Sequence, residues 1–435
     1  MIRACRELEI QTVLVYSEAD AHSLPVHHAD EAICIGPAPA RDSYLNIPAI
    51  ISAALISGAQ AVHPGYGFLS ENADFAEVCR EHGLVFIGPP PEVLARFHDK
   101  AATRASMKKL GLPVIPGSEG PVRTLSEALR IAEAIGYPVM LKARAGGGGR
   151  GMRKVESARD LQKLWEQARS EAKASFGDDG VYLERNLESV RHVEAQIAVD
   201  DRGEGICLGE RECSIQRRHQ KMIEEAPSAS ISEELRQRIA EMAVRAATRF
   251  GYRNVGTFEF LVDRAGDPYF IEVNARIQVE HTVTEMVTGI DLVKEQIKLA
   301  QGQPLSFSEE QIWVKGHAIE CRINAEDSNA NFMPSTGVLT TYLPPAGPGI
   351  RVDSHCFQGY EVPPYYDSLL AKVIAWGRDR AEAVARMHRA LDEFTIVGVT
   401  TNIPAHQKIL ASDLFRSGQV TTHLIDTVGL EALVG

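Results

Sequence analysis

Two runs near the middle of the chain constrain the fold most. They are GTFEFLVD (256–263) and PYFIEVN (268–274), separated by Arg264-Ala265-Gly266-Asp267. β-branched and aromatic residues around a Gly-containing break spell a β-hairpin. With Ala265-Gly266 as a two-residue turn, the register places Glu259 directly across from Glu272. Like charges so opposed are destabilising, and a cation belongs between them. Carboxylate oxygens with open positions for water and phosphate suit magnesium. Asn274 lies two residues on, points to the same face and adds an oxygen. The competing reading is a solvent-exposed pair, one member of which holds its proton.

The second run continues as EVNARIQVEH (272–281). Glu272, Asn274, Arg276, Gln278 and Glu280 fall on alternate positions. An extended chain would put all five on one face, as would a half-solvated strand. Three other segments carry chemistry. AGGGGRG (145–151) follows a strand bearing Lys142. Its bare N–H groups can form an anion nest, although the P-loop pattern is absent; a mobile surface loop would read the same. GERECSIQRRHQKMIEEAP (209–227) packs Gln216, Arg217, Arg218, His219 and Lys221 together, which by itself reads as a solvated basic patch. HPGYGFLSEN (63–72) is a Pro/Gly turn after an apolar strand, with Glu71 at a helix start. Ligands favour that position in parallel sheets, and a purely structural turn fits equally well.

The 435 residues leave room for two or three domains. With 46 basic and 58 acidic side chains, the formal charge is −12. Nucleic-acid binders gain affinity by neutralising phosphates, so no nucleic-acid partner is expected. The local basic clusters suit a small anion instead. Seven scattered cysteines form no C-x-x-C pair, so no zinc or redox motif follows. The longest apolar region, 47–62, is broken by Ser52, Ser57 and Gly58 and is too short to span a bilayer. No secretory segment opens the chain. A cytoplasmic protein without a membrane partner is expected.

Strands are expected at 12–17, 31–36, 61–67 and 84–88, with helices at 46–57 and 70–82 between them. That alternation predicts a parallel, Rossmann-like sheet with helices on both faces. Residues 1–9 read as a helix with no strand before it. Further along, helices are expected at 99–110, 124–135, 157–174, 231–250, 282–301 and 379–393. Strands are expected at 137–143, 181–185, 192–200, 256–262 and 268–274.

In this order, HPGYGFLSEN, KARAGGGGRGMR, ERECSIQRRHQK, GTFEF, EVNARIQVEH and VPPYYDS (362–368) closely resemble the signature stretches of biotin carboxylases. The resemblance runs over essentially the whole chain, and EVNARIQVEH together with RRHQK is its specific part. It implies an α/β and α+β architecture of three domains. These are an N-terminal domain (1–98), an ATP-grasp domain (99–311) with a glycine-rich lid at about 115–186, and a C-terminal α/β domain (312–435). The usual first strand and its N-R-G-E-I-A turn are absent, so a shortened first domain is expected.

The resemblance also implies roles. Lys100, Lys142, Gly148, Gly149, Glu184, Leu187, His192, Gln216, His219 and Leu261 would contact ATP together with Glu259 and Glu272. Glu259, Glu272 and Asn274 would hold magnesium or manganese. Lys221, Arg276, Gln278, Val279 and Glu280 would bind bicarbonate, with Glu280 as the base. Arg351, in GIRVDSH, would meet the biotin ureido oxygen, with Tyr66 beside it. Catalysis would rest on Glu280, Arg276, Arg351 and Lys221.

The implied reaction is ATP- and bicarbonate-dependent carboxylation of carrier-bound biotin through carboxyphosphate, the first half-reaction of an acetyl-CoA or other acyl-CoA carboxylase. A pyruvate or urea carboxylase system would present the same motifs. Another ATP-grasp carboxylate–amine ligase would keep the Glu259/Glu272/Asn274 set without RRHQK or RIQVEH. An inactive, truncated paralogue is the non-catalytic alternative. No A-M-K-M biotinylation sequence occurs, so the biotin carboxyl carrier protein and the carboxyltransferase are expected as separate partners. The resemblance alone implies a homodimer.

Overall fold

Alternation with a period of two sets most of this architecture. The computed structural model describes residues 1–143, 151–430 and 432. The chain opens on helix Ile2–Glu7 and then enters strands β1 (Val13–Tyr16), β2 (Glu31–Cys34), β3 (Ala61–Val62) and β4 (Val85–Phe86). β1 pairs with β2 and β3 with β4, both in parallel. The expected single sheet is therefore two separate parallel pairs; among the described residues no strand bridges them. Helices Ile47–Ser57 and Ala73–Glu81 start at Asn46 and Asn72, whose side chains accept from Ala49 N and Phe75 N, the usual N-cap device. Their apolar faces close a core of Ile50, Ile51, Phe75, Cys79 and Leu84.

The segment expected as a lid folds around its own core. Strands β5 (Val139–Ala143), β6 (Met152–Val155) and β7 (Val181–Arg185) pair in the order β6-β5-β7. Helices Leu125–Ile135 and Ala158–Phe176 cover them through Ala128, Ala132, Leu161 and Trp165. The glycine run lies almost wholly outside the described residues, so the placement of Gly148 and Gly149 does too.

One eight-stranded antiparallel sheet holds the rest of the molecule together. It comprises β8 (Arg191–Val199), β9 (Gly205–Arg217), β10 (Gln220–Ala226), β11 (Asn254–Val262), β12 (Pro268–Asn274), β13 (His317–Asn324) and the strands Ile350–Ser354 and Leu369–Gly377. Their order is β12-β11-β8-β9-β10-β13, then 369–377, then 350–354. The sheet thus crosses residue 311 through the β10–β13 pair without a break. Helix Glu233–Arg249 covers one face with Ile239, Met242 and Ala246 against Val193, Ile197, Phe258 and Phe260. Toward the far edge, helix Arg380–Glu393 packs on Ile319, Cys321, Val373 and Ala375.

Two elements depart from expectation. The helix expected at 282–301 is broken into His281–Thr288 and Leu292–Ala300. Gly289, at φ +75°, ends the first in the left-handed conformation glycine tolerates, and Asp291 caps the second. The basic run at 209–227 is a hairpin: Arg217 pairs with Gln220 across a two-residue turn. Arg218 and His219 both take positive φ there, +48° and +64°. A type I′ turn requires this, and non-glycine residues adopt it at a cost. Among the described residues no helix is long and apolar enough to cross a membrane.

Candidate active site

The face of the sheet opposite helix Glu233–Arg249 carries the polar half of the alternation. Glu259 lies across from Glu272 on one side and from Glu194 on the other. Arg211 on β9 is opposite Glu194 in turn. A row of three carboxylates therefore runs across β12, β11 and β8. The hairpin expectation reached this pair through two errors that cancel. Val262 pairs with Pro268, so the loop has five residues, not two, and a bulge between Glu259 and Phe260 restores the register.

Lys221 is the hub. Its Nζ donates to Glu194 Oε2 at 2.5 Å, Glu280 Oε1 at 2.6 Å and Glu259 Oε1 at 3.0 Å. Burial works against its charge, but these three carboxylates hold its pKa well above the ordinary lysine value. Arg211 is fully buried. It donates to Glu194, Gln196, Thr284, Thr257 and Gln278 at 2.6–3.2 Å, so all five of its N–H groups have partners. The oxygen of Gln278 is thereby claimed by Arg211, and its Nε2 donates to Glu259 at 2.8 Å.

Residues 275–280 do not continue as a strand. β12 ends at Asn274, and Glu280 stands at the N-cap of helix His281–Thr288. The alternate polar groups still converge, because the segment curls over the row instead of extending along it. Glu71 fixes the curl, accepting from Ala275 N at 2.9 Å and Arg276 Nε at 3.2 Å. Arg276 Nη2 also donates to Asn274 Oδ1 at 2.9 Å. Burial pushes the Glu280 carboxyl up, but Lys221, Arg322 and Arg211 overcome it and hold it well below the usual carboxylate range. Glu259 behaves alike, with Lys221 outweighing burial.

Lys221, Glu259, Glu280 and Arg322 line a cavity of about 1160 Å³. Lys100, Lys142, Glu184, Leu187, His192, Gln216, His219 and Leu261 line it, as do Glu272, Asn274, Arg276, Gln278, Val279 and Tyr66. Lys100 meets Glu272 at 2.7 Å, and Lys142 is ion-paired with Glu184. Gln216 Nε2 donates both to the carbonyl of Cys213 and to His192 Nδ1. The first bond identifies that atom as nitrogen, so Nδ1 of His192 accepts and the ring is neutral. Its Nε2–H points past Glu259 Oε2, 2.9 Å away, without the alignment of a hydrogen bond.

Two carboxylates and an amide oxygen at one end of the hairpin, Glu259, Glu272 and Asn274, are the hard donor set that magnesium or manganese takes. Lys100 and Lys221 carry the compensation for that charge in this structure. His192, Glu194 and Glu259 also present one ligand atom each within 4.8 Å of one another.

Arg351 stands apart from the other expected site residues. It does not line the cavity. Its guanidinium is held bidentately by Asp353 at 2.9 and 2.7 Å and by Glu285 at 2.6 Å. The arginine that does reach the cavity is Arg322 on β13. It donates to Glu280 Oε2 at 2.9 Å and to Glu224 Oε1 at 2.7 Å. Sequence reasoning missed Arg322, Glu194 and Arg211. The signal for Glu194 was present in HVEAQIAVD, where His192, Glu194 and Gln196 alternate with apolar residues.

Comparison with known proteins agrees with this geometry. Residues 1–94 match the biotin carboxylase N-terminal domain, 99–308 the carbamoyl-phosphate synthase L chain ATP-binding domain, and 320–427 the biotin carboxylase C-terminal domain. A biotin carboxylase of Nostoc sp. is 53% identical over 98% of this chain and 95% of its own length. One of the pyruvate carboxylase subunits of Methanothermobacter thermautotrophicus is 52% identical over 98% of this chain and 87% of its own. The crystal structure of the Campylobacter jejuni biotin carboxylase superposes with a TM-score of 0.95 at 48% identity, covering 98% of this chain and 95% of that one. The expected shortening of the first domain gains no support from these matches. Three domains of α/β character, a cavity built around buried carboxylates and cations, and matches over nearly the whole chain lead to one conclusion: the chain belongs to the biotin carboxylase family and is an ATP-dependent, ATP-grasp carboxylating ligase.

Proposed function

We propose that this protein carboxylates biotin on a separate biotin carboxyl carrier protein, as the first half-reaction of an acetyl-CoA or other acyl-CoA carboxylase. The observation that carries the reading is the placement of Glu280. It is an ionised, buried carboxylate 2.6 Å from Lys221 and 2.9 Å from Arg322, at the wall of a cavity large enough for nucleotide and a second substrate. Bicarbonate is an anion and a weak nucleophile, so its binding needs cations and its activation needs a base. Lys221, Arg276, Gln278 and the Val279 backbone form the anion site. Bicarbonate draws Lys221 away from Glu280, and the carboxylate, now beside another anion, becomes a stronger base and takes the proton.

ATP lies between the lid and the sheet. Lys100, Lys142, Glu184, Leu187, His192, Gln216, His219 and Leu261 contact it, with Gly148 and Gly149 from the lid. Glu259, Glu272 and Asn274 would hold the divalent cation, which neutralises charge on the phosphates when bound. Lys100 and Lys142 exchange their carboxylate partners for phosphate oxygens. Attack of bicarbonate on the γ-phosphorus gives carboxyphosphate and ADP. Arg322, in place of Arg351, meets the biotin ureido oxygen and stabilises its developing charge, with Tyr66 beside the ring. Domain limits at 98 and 311, a homodimer, a separate carboxyltransferase and a cytoplasmic location belong to the same proposal.

The test is bicarbonate-dependent ATP cleavage with and without free biotin. Stimulation by biotin supports the reading, and cleavage that ignores biotin and requires an amine refutes it. Supplying carboxyltransferases for acetyl-CoA or pyruvate in turn identifies the final acceptor.

A further inference from the structure

Behind Arg322 lies a second pair of opposed glutamates that the reaction above does not use. Glu224 on β10 is directly across from Glu320 on β13. Both are fully buried. Each has one oxygen engaged. Glu224 Oε1 accepts from Arg322 at 2.7 Å, and Glu320 Oε2 accepts from the Thr282 hydroxyl. Each has one oxygen, Glu224 Oε2 and Glu320 Oε1, that is buried with no partner. Buried carboxylate oxygens left in this way are costly, and directly opposed like charges add to the cost.

We infer that Glu224 and Glu320 share one proton, so that the pair carries a single negative charge behind the catalytic base. One O–H between the two free oxygens would satisfy both. Charge balance points the same way. Contacts link five carboxylates, this pair with Glu194, Glu259 and Glu280, to four cations, Arg211, Lys221, Arg322 and Lys372. One shared proton balances them. The other groups on this face leave that count unchanged: Cys213 is a thiol that burial holds well above its ordinary pKa, Thr282 is neutral, burial holds the His281 ring well below its ordinary pKa, and Arg351 and Asp353 pair with each other. Lys372 stands 3.8 Å from Glu320 and gives its closest bond to the Val279 carbonyl at 2.5 Å. Burial, the largest influence, raises the pKa of both carboxyls, against Arg322 for Glu224 and Lys372 for Glu320.

The pair is a positioning device. Arg322 is gripped by Glu224 on one side and Glu280 on the other, and a neutral partner for Glu224 keeps that grip from becoming lopsided. The effect on the base rests on the proposed function; the shared proton does not. Infrared difference spectra at about pH 7, where exposed carboxyls of ordinary pKa near ~4 are ionised, should show a protonated-carboxyl band in the wild type. The band is lost in both Glu224→Gln and Glu320→Gln, because the remaining carboxylate no longer faces a like charge. Its absence from the wild type, or its survival in either folded variant, overturns the sharing. If a variant fails to fold, the wild-type band and its loss on raising the pH still decide the matter.

Kinetics supply the second arm. Ionising the pair adds negative charge near the anion site, so the wild-type KM for bicarbonate should rise at least about threefold between about pH 7 and 9. In Glu320→Gln it should stay flat, and a matching rise there overturns the coupling to the base. A wild type that cleaves no ATP with bicarbonate sinks the proposed function and leaves the infrared result standing.

Discussion

Replacing Arg322 and Arg351 in turn separates the site in the structure from the site in the sequence. Arg322→Ala removes a guanidinium with 19% of its side chain exposed, together with its bonds at 2.7 Å to Glu224 and 2.9 Å to Glu280. Breaking a buried ion pair on one side costs about 3–5 kcal/mol, since the remaining charge is left uncompensated. Here two carboxylates are stranded, and uptake of a proton limits the damage. On the rate, loss of a preorganised donor to developing charge costs roughly 10²–10³, which is about 3–4 kcal/mol on the barrier. Arg351→Ala removes a group that is 32% exposed and tied to Asp353 and Glu285 away from the cavity. Its partner Glu285 is largely buried, so stability should fall by about 1–3 kcal/mol while the rate changes by no more than about threefold. The assay is carboxylation of free biotin with ADP release measured alongside, and chemical denaturation reports stability. Arg322→Lys keeps the charge but not the fork, so it should recover stability better than rate. A hundredfold loss in Arg351→Ala with near-normal activity in Arg322→Ala would refute the assignment.

Glu280→Gln keeps shape and removes the base, so bicarbonate-dependent ATP cleavage should fall by about 10²–10⁴; a loss under tenfold, read in a coupled ADP assay, would count against the role. Glu259→Gln and Glu272→Gln should each weaken magnesium dependence by at least about tenfold in a metal titration of the same reaction, and unchanged metal response in both would remove them from the metal set. Gly256→Ala should destabilise strongly, since its Cβ would fall 2.0 Å from the Tyr252 hydroxyl; a denaturation midpoint equal to wild type would contradict the packing. His406 should set part of the acid limit. Its Nε2–H donates to the Arg322 carbonyl at 2.7 Å, leaving Nδ1 unprotonated, buried and without a partner. Burial lowers its pKa to about 4. A histidine depressed in the folded state contributes stability above its unfolded pKa of about 6.5 and loses it as pH falls toward the folded value. About 3 kcal/mol is at stake over that window, and His406→Gln should flatten the stability–pH curve between about pH 6.5 and 4; an unchanged slope would refute this.

Local periodicity made much of this molecule legible. The capped helices at 47–57, 73–81, 125–135 and 158–176 fall within a few residues of expectation, because N-caps and apolar faces are written in adjacent residues. The hairpin turn was read wrongly, yet Glu259 and Glu272 still meet, since the bulge compensates a loop that is too long. The polar set at 272–280 was read as one face of a strand. What brings it together is a curl held by Glu71, some 200 residues earlier in the chain. No local pattern encodes that contact. The β9–β10 hairpin was hidden for another reason. Charge density across 209–221 masks its alternation, and a type I′ turn made of Arg and His offers none of the usual glycine or asparagine signal.

Strand order explains why Arg351 stands apart from the cavity. Chain order suggests that 350–354 lies beside 317–324, but strand 369–377 inserts between them. Arg322 is opposite Lys372, and Asp353 is opposite Lys372 from the other side; Glu320 and Arg351 likewise flank Ile374. All four charged residues therefore project from the same face as Lys372. Facing direction alone cannot distinguish Arg322 from Arg351. Distance does, because the inserted strand moves Arg351 two strand spacings, roughly 10 Å, away from β13. A guanidinium needs to stand within about 3 Å of the charge it stabilises, so under the proposed function the inserted strand favours Arg322 over Arg351. The same insertion brings Lys372 beside Arg322 and within 3.8 Å of Glu320, and so adds a cation behind the base that neither flanking sequence announces.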